Sequence, residues 1–272
     1  NSIISLPDTV EFQVGTLRDP VSFGSYSTNN ANFIVPTGKS GTFYADSRCN
    51  YKGSLKGNGT FNVYATSVRG YFQGNWSDFA GTVSASTYST DSYDDNFYFD
   101  NSYGLPKATL HINNGVIFDN NGKSMPLGNV TGTGTLGGTG IYTIGGNNAD
   151  IQASWKATAP IIKTGNGSME VTTAGIITGG LSVTGGELRF YGTLDSQFFG
   201  TKGITLSGTG SIAGSGLLAS LTMESGTKMT PCTNFFFIDQ YILSPATVKT
   251  SAAMNIKQGS SVNFLIESKD SY

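Results

Sequence analysis

Charge is scarce in this 272-residue chain. Asp, Glu, Lys and Arg together make 12% of it, about half the roughly 25% of an ordinary globular protein. The net charge is −2 and the 16 Lys and Arg residues are scattered. A phosphate backbone needs clustered cations, so nucleic acid is not an expected partner. Long apolar runs are also missing: none approaches the ~20 residues of a transmembrane helix. Helix signals are nearly absent, because no long glycine-free stretch carries apolar residues at spacings of three and four. Cysteine is limited to Cys49 and Cys232, far apart and outside any Cys-x-x-Cys or Cys/His setting. That removes a zinc site and leaves two buried thiols as the plain expectation. A disulfide would require the fold to bring the two together. The single histidine, His111, has no Gly-x-Ser-x-Gly elbow elsewhere in the chain. A triad hydrolase therefore lacks its parts, and His111 reads as a strand residue. The opening residues N-S-I-I-S-L-P-D carry neither the basic nor the apolar region of a secretory signal. Such a signal is expected to have been removed already.

What the chain does hold is glycine, 37 residues of it, close to double the usual ~7% share. Ser, Thr, Asn and Tyr supply the polarity, while Phe, Ile, Val and Leu recur throughout. This is the composition of a β-protein with many turns and not of a disordered chain. One phrase, Gly-[Asn/Thr]-Gly-[Ser/Thr]-apolar, occurs four times: G-N-G-T-F at 57–61, G-T-G-T-L at 132–136, G-N-G-S-M at 165–169 and G-T-G-S-I at 208–212. A recurring word of this kind points to repeated coils. The uneven intervals between the four occurrences fit coils of roughly 20–25 residues with insertions on some of them. The two glycines read as a corner, the Ser or Thr as the start of a strand, and the apolar residue as an inward-pointing side chain.

Alternation between the corners supports short strands. Phe61, Val63 and Ala65 alternate with Asn62 and Tyr64, and turns are predicted at Arg69–Gly70 and Gln73–Asn75. From 163 to 190, Met169, Val171, Leu181, Val183, Leu188 and Phe190 are predicted to face one side. Glu170, Thr172, Ser182, Thr184, Glu187 and Arg189 are predicted to face the other. Between 127 and 146 glycine recurs so often that strands of only three to five residues are expected. The fold class read from these patterns is all-β, a parallel β-helix (β-solenoid). A β-sandwich is the alternative.

The run K-T-G-N-G-S-M-E-V-T-T-A-G-I-I-T-G-G-L-S-V-T-G-G-E-L-R-F at 163–190 resembles the passenger-associated, or autotransporter-associated β-strand, repeat of bacterial secreted surface proteins. The runs at 131–146 and 206–218 resemble its flanking coils, and G-N-W-S-D-F-A-G-T-V at 74–83 is similar to another coil type of such proteins. The resemblance covers 55–86 and 127–230. It implies a right-handed parallel β-helix, extracellular at the bacterial cell surface, with no shared catalytic residues to carry over. It also implies one β-helix domain over 1–272, with N-terminal coils or a cap at 1–54, repeat-like coils at 55–230 and C-terminal coils at 231–272. The chain is then expected to be a fragment, partnered by the rest of a longer chain.

The richest polar-aromatic segment is Y-S-T-D-S-Y-D-D-N-F-Y-F-D-N-S-Y at 88–103. Carboxylates among tyrosines suit a glycan, whose C–H faces stack on rings while its hydroxyls bond to carboxylates. They also suit Ca²⁺, which takes 6–8 oxygen ligands. Tyr93, Asp94, Asp95 and Tyr98 are the candidate ligand contacts. The plain alternative is a solvated insertion with Phe97 and Phe99 turned inward. Asp119-Asn120-Asn121-Gly122 reads as a turn with positive φ. Trp76 and Trp155 read as closing a β core, or as sugar platforms. Adjacent Asp94 and Asp95 would point to opposite strand faces, which is poor geometry for a catalytic pair. The expected role is therefore a non-enzymatic, adhesin-like or structural stalk with no cofactor, contacting glycans or host cell-surface proteins. A carbohydrate-active β-helix enzyme or a carbohydrate-binding module is the alternative.

Overall fold

A computed structural model describes residues 11–13, 28–30, 32–45, 50–65, 70–87, 96–192, 198–237 and 240–264. All regular elements among them are strands. The chain divides into two compact units, residues 1–147 and 148–272, and each is a parallel β-solenoid.

In the first unit, Ser40–Ala45, Thr60–Ala65, Thr82–Thr87, Leu105–Ile112, Met125–Gly132 and Tyr142–Ile144 pair in parallel in that order. A second sheet holds Asn50–Tyr51, Gly70–Phe72, Asn96–Tyr98, Ile117–Asp119 and Thr135–Gly137. A third holds Glu11–Gln13, Asn32–Val35 and Leu55–Gly57. Successive coils thus lay one short strand on each face. Ser40 pairs with Thr60, and Thr60 with Thr82, which makes two short coils of similar length. Thr82 pairs with Thr109, so the next coil is longer. It is the coil that contains the 88–95 segment.

The second unit repeats the scheme. Ile161–Lys163, Leu181–Val183, Ile204–Leu206, Leu221–Met223 and Met254–Ile256 form one parallel ladder. Ile151–Ala153, Ser168–Val171, Glu187–Tyr191, Ser211–Leu218 and Lys228–Phe237 form another. One antiparallel pair interrupts it, Lys228–Phe237 with Gln240–Pro245. That hairpin accounts for the long step from Leu221 to its partner Met254. Parallel ladders everywhere else among the described residues are incompatible with the antiparallel sheets of a sandwich.

Alternation explains which side chains build the interior. Met169, Val171, Leu181, Val183, Leu188 and Phe190 are all buried, and their predicted outward neighbours are half-buried or exposed. The two units fill their interiors differently. The first stacks aromatic rings from coil to coil: Tyr51 on Phe72 at 5.2 Å, Phe72 on Phe97 at 5.8 Å and Phe99 against Phe118 at 5.1 Å. Trp76 closes this column, edge-on to Phe61 and Phe99, with its Nε1 donating to Gly53 O at 3.1 Å. The second unit is mostly aliphatic, and Trp155 is fully buried in it. Both tryptophans are therefore core residues and not exposed platforms. Cys232 is a free, buried thiol, whereas Cys49 lies outside the described residues.

The repeated phrase does the same thing at all four places. Its first glycine has positive φ: 97° at Gly57, 93° at Gly132, 71° at Gly165 and 57° at Gly208. Its fourth residue begins a strand, and its fifth, Phe61, Leu136, Met169 or Ile212, is buried. The second glycine is required by closeness. A Cβ on Gly59 would collide with the carbonyl oxygens of Pro36 and Lys39, and one on Gly167 with the Ala149 carbonyl. In the first unit this closeness carries hydrogen bonds. Asn58 N and Gly59 N both donate to Val35 O at 3.1 and 3.0 Å, and Thr133 N and Gly134 N both donate to Ile112 O at 3.0 Å. The four phrases do not enter one sheet, because Thr60 and Thr135 start strands of different ladders. The phrase therefore marks a kind of corner and not a fixed coil register, which explains its uneven intervals.

Two local expectations are corrected. Met125–Gly132, which runs into the 127–146 stretch, is eight residues long, not three to five, whereas Thr135–Gly137 and Tyr142–Ile144 have the expected three. Gly128 sits inside its strand without positive φ, and the missing Cβ lets the backbone approach the carbonyls of Pro106 and Ala108. Here glycine permits stacking and does not end the strand. The turn predicted at Arg69–Gly70 also fails at its described residue, since Gly70 opens the strand Gly70–Phe72.

Lys163, the first residue of the 163–190 run, is buried. Its Nζ donates to Thr164 O at 2.7 Å and to Gly165 O and Gly185 O at 3.2 Å. Burial lowers the lysine pKa and Asp150 opposes that shift. The three carbonyls match the three donors of an ammonium, so this corner of two successive coils is joined through one side chain.

Adding a methyl group should separate crowded glycines from uncrowded ones. Gly59→Ala and Gly167→Ala should each lose roughly 2–4 kcal/mol in urea denaturation. Gly146, with open space around its Cβ position, should tolerate alanine with no loss, or with a gain below about 1 kcal/mol.

Candidate functional site

Of the four candidate contacts, Tyr93, Asp94 and Asp95 lie outside the described residues. Tyr98 is described, and its position is informative. Its flanking residues Phe97 and Phe99 point into the core, 2% and 1% exposed, as alternation requires. Tyr98 therefore points outward from the strand Asn96–Tyr98.

Parallel register places Tyr98 beside Tyr71 of the preceding coil and Asp119 of the next. The Tyr71 and Tyr98 rings stack with centroids 5.2 Å apart and planes 26° apart. Slightly further along each strand lies a polar row. Gln73 Nε2 donates to Asp100 Oδ2 at 2.8 Å, and Asn121 Nδ2 donates to Asp100 Oδ1 at 3.1 Å. Both carboxylate oxygens are thus held by amides from neighbouring coils. Lys123 Nζ lies 4.0 Å from the same carboxylate. The predicted 119–122 turn positions Asn121: Asp119 Oδ1 accepts from Asn121 N at 2.7 Å, with φ of 48° at Asn121 and 76° at Gly122. On the other side Ile117 is 36% exposed. Its Cγ2 lies 2.7 Å from where a Cβ of Gly137 would stand, so glycine there gives the isoleucine room. The result is an outward face with an aromatic-aliphatic centre and a preset row of amide, carboxylate and ammonium groups. Such a face matches the alternating C–H faces and hydroxyls of a sugar.

Tyr71 and Gln73 were not among the sequence candidates, and Asn121 was read only as part of the 119–122 turn. Only the pairing of successive coils, Tyr71 with Tyr98 and Tyr98 with Asp119, joins them. Because the coils differ in length, no constant period in the sequence leads from one of these residues to the next.

A second polar face lies on the other unit. Register pairs Glu170 with Arg189 and Ser168 with Glu187, and Arg189 Nε donates to Glu187 Oε1. Hydrogen bonding to Glu187 raises the Arg189 pKa. Tyr191 continues this outward row, and burial pushes its pKa up to about 12. Asp150 accepts from Ser168 N at 2.7 Å and from Ser168 Oγ at 2.8 Å, and these two bonds lower its pKa. The outward positions of Glu170, Glu187 and Arg189 were legible in the sequence, but their adjacency was not.

His111 is a half-buried strand residue, with Nδ1 3.0 Å from Thr131 Oγ1. Among the described residues, no group of three or more His, Cys, Asp or Glu gathers as a metal site would require. No helix among them is long and apolar enough to cross a membrane. No protein-family model matches the chain, and no curated protein matches it.

The Tyr191 shift carries a pH signature. Its folded pKa exceeds the ~10 of an unfolded tyrosine, so the folded state keeps a proton that the unfolded state releases. That contribution is complete below pH ~10 and is lost as pH rises toward 12. Denaturation curves should show wild type losing stability relative to Tyr191→Phe across this window, and no relative change at pH 6–9.

Proposed function

We propose that this protein is a non-enzymatic β-solenoid scaffold that contacts glycans through the Tyr71–Tyr98 face. In this reading it is a secreted passenger at a bacterial surface and serves as an adhesin-like or structural stalk. The observation that carries the glycan contact is Asp100, fixed by Gln73 and Asn121 beside two stacked tyrosines. A carboxylate whose two oxygens are already oriented presents its remaining lone pairs to sugar hydroxyls with little further reorganisation. The solenoid supplies rigidity, since the contributing residues come from successive coils of one unit. The surface placement rests on the resemblance of the 163–190 run to surface-protein repeats.

A carbohydrate-active enzyme is the second reading, favoured by Glu170, Glu187 and Arg189 on one sheet face of the second unit. Two carboxylates and a cation are the minimum equipment for such chemistry.

A glycan array separates the readings. The scaffold reading expects retained glycans, with the signal lost in Tyr98→Ala and kept in Glu170→Gln, and no reducing ends released over hours. Polysaccharide turnover abolished by Glu170→Gln or Glu187→Gln would overturn it in favour of the enzyme.

A further inference from the structure

Asparagine followed by glycine is chemically unstable, and the fold treats its Asn-Gly pairs unequally. The sequence holds four of them: Asn58–Gly59, Asn114–Gly115, Asn121–Gly122 and Asn166–Gly167. In such a pair no glycine side chain shields the backbone nitrogen from the asparagine side-chain carbon. We propose that Asn114 is a site of spontaneous modification, deamidated through attack by Gly115 N, and that the fold protects the other three pairs. This holds whatever the tyrosine face binds.

Ring closure requires the peptide plane between the two residues to rotate and carry the glycine nitrogen against the side chain. Three of the planes are held. Gly59 N donates to Val35 O at 3.0 Å, and its Cα lies close against the carbonyls of Pro36 and Lys39. Gly122 N donates to Asn120 Oδ1 at 3.1 Å, while Asn121 is held by its N on Asp119 and its Nδ2 on Asp100. Gly167 lies against the carbonyls of Asn148 and Ala149. The amides on either side of it, Asn166 N and Ser168 N, donate at 2.7 Å to Asn148 Oδ1 and Asp150 Oδ1.

Asn114 and Gly115 are both exposed, and apart from chain neighbours no atom lies within 4 Å of the Gly115 Cβ position. Among the described residues, neither the Asn114 side chain nor Gly115 N has a hydrogen-bond partner. The pair forms the tip of a turn closed by Val116 N donating to Asn113 O at 3.2 Å, with Gly115 at φ 81°. The turn's ends are anchored, since Asn113 Nδ2 donates to Ala85 O at 2.9 Å and Val116 is buried. The central peptide plane of such a turn rotates between its type I and type II positions without moving those ends. Gly115 N then bonds to Asn114 Cγ, the Cγ–Nδ2 bond breaks, and the Gly115 amide proton leaves on Nδ2 as ammonia. Water opens the succinimide at either carbonyl, its hydroxyl going to that carbon and its proton to the ring nitrogen. The products are aspartate and isoaspartate at position 114, and isoaspartate lengthens the backbone of the turn by a carbon.

Peptide mapping by mass spectrometry, with an isoaspartyl assay, tests this on the full folded chain held in warm, mildly alkaline buffer. Deamidation at Asn114 should run about tenfold faster than at Asn58, Asn121 or Asn166, where a hydrogen bond or a packed coil must first open. In urea the protection is lost and the four rates should converge. Asn114→Gln should remove the fast component and leave the other three rates unchanged. A second pair reacting as fast as Asn114 in the folded chain overturns the inference. So does an Asn114 that reacts in urea but is as slow as the other three when folded.

Discussion

Close approach of backbone to backbone at the coil corners is the constraint from which the rest of this structure follows. At Gly59, Gly134, Gly167 and Gly210 the chain passes so near the coil beneath that a single methyl would collide with it. At Val35 and Ile112 one carbonyl accepts two successive amides from the coil above. Those contacts fix how far each coil may slide. Because side chains alternate along a strand, a slip by one residue would turn every inward side chain outward. Corner geometry and alternation together therefore set the register, and the register sets everything that touches. Lys163 applies the same constraint with a side chain, joining the carbonyls of two coils through one ammonium.

Register has an inward and an outward consequence. Inward, like stacks on like: Tyr51 pairs with Phe72 and Phe97 with Phe118 in one unit, while Ile161, Leu181, Ile204 and Leu221 align in the other. Outward, it makes neighbours of residues far apart in the chain, which is how Gln73, Asp100 and Asn121 come to share one carboxylate. The interior is thus committed to stability, and the outward rows can vary at little structural cost. This division is why the functional proposal rests on the tyrosine face. The glycine phrase first attracts the eye, but it is a folding device.

The same division explains what could be read from the sequence. The glycine corners and the inward row from Met169 to Phe190 were legible because both depend on local order along one strand or turn. The plain readings of Trp76, Trp155 and His111 held for the same reason. Strand length across Gly128 was not legible, since a glycine that ends a strand and one that admits a neighbouring coil look alike without the neighbour. Adjacency across coils was not legible either. Tyr98 was singled out, but Tyr71 was not. The coil from Thr82 to Thr109 is longer than the two before it, so no constant period leads from one tyrosine to the other. Tyr93, Asp94 and Asp95 lie outside the described residues, so the candidate site rests on Tyr98 and on partners that register supplied.

In the proposed reading, function and scaffold occupy different rows of the same coils. A residue-resolved NMR titration with a neutral oligosaccharide distinguishes the rows. Shifts are expected only at Tyr71, Gln73, Tyr98, Asp100, Ile117 and Asn121, with the amides of Gly59, Gly134 and Gly167 unmoved. Shifts centred on Glu170, Glu187 and Arg189, or spread through the glycine corners, would refute the assignment.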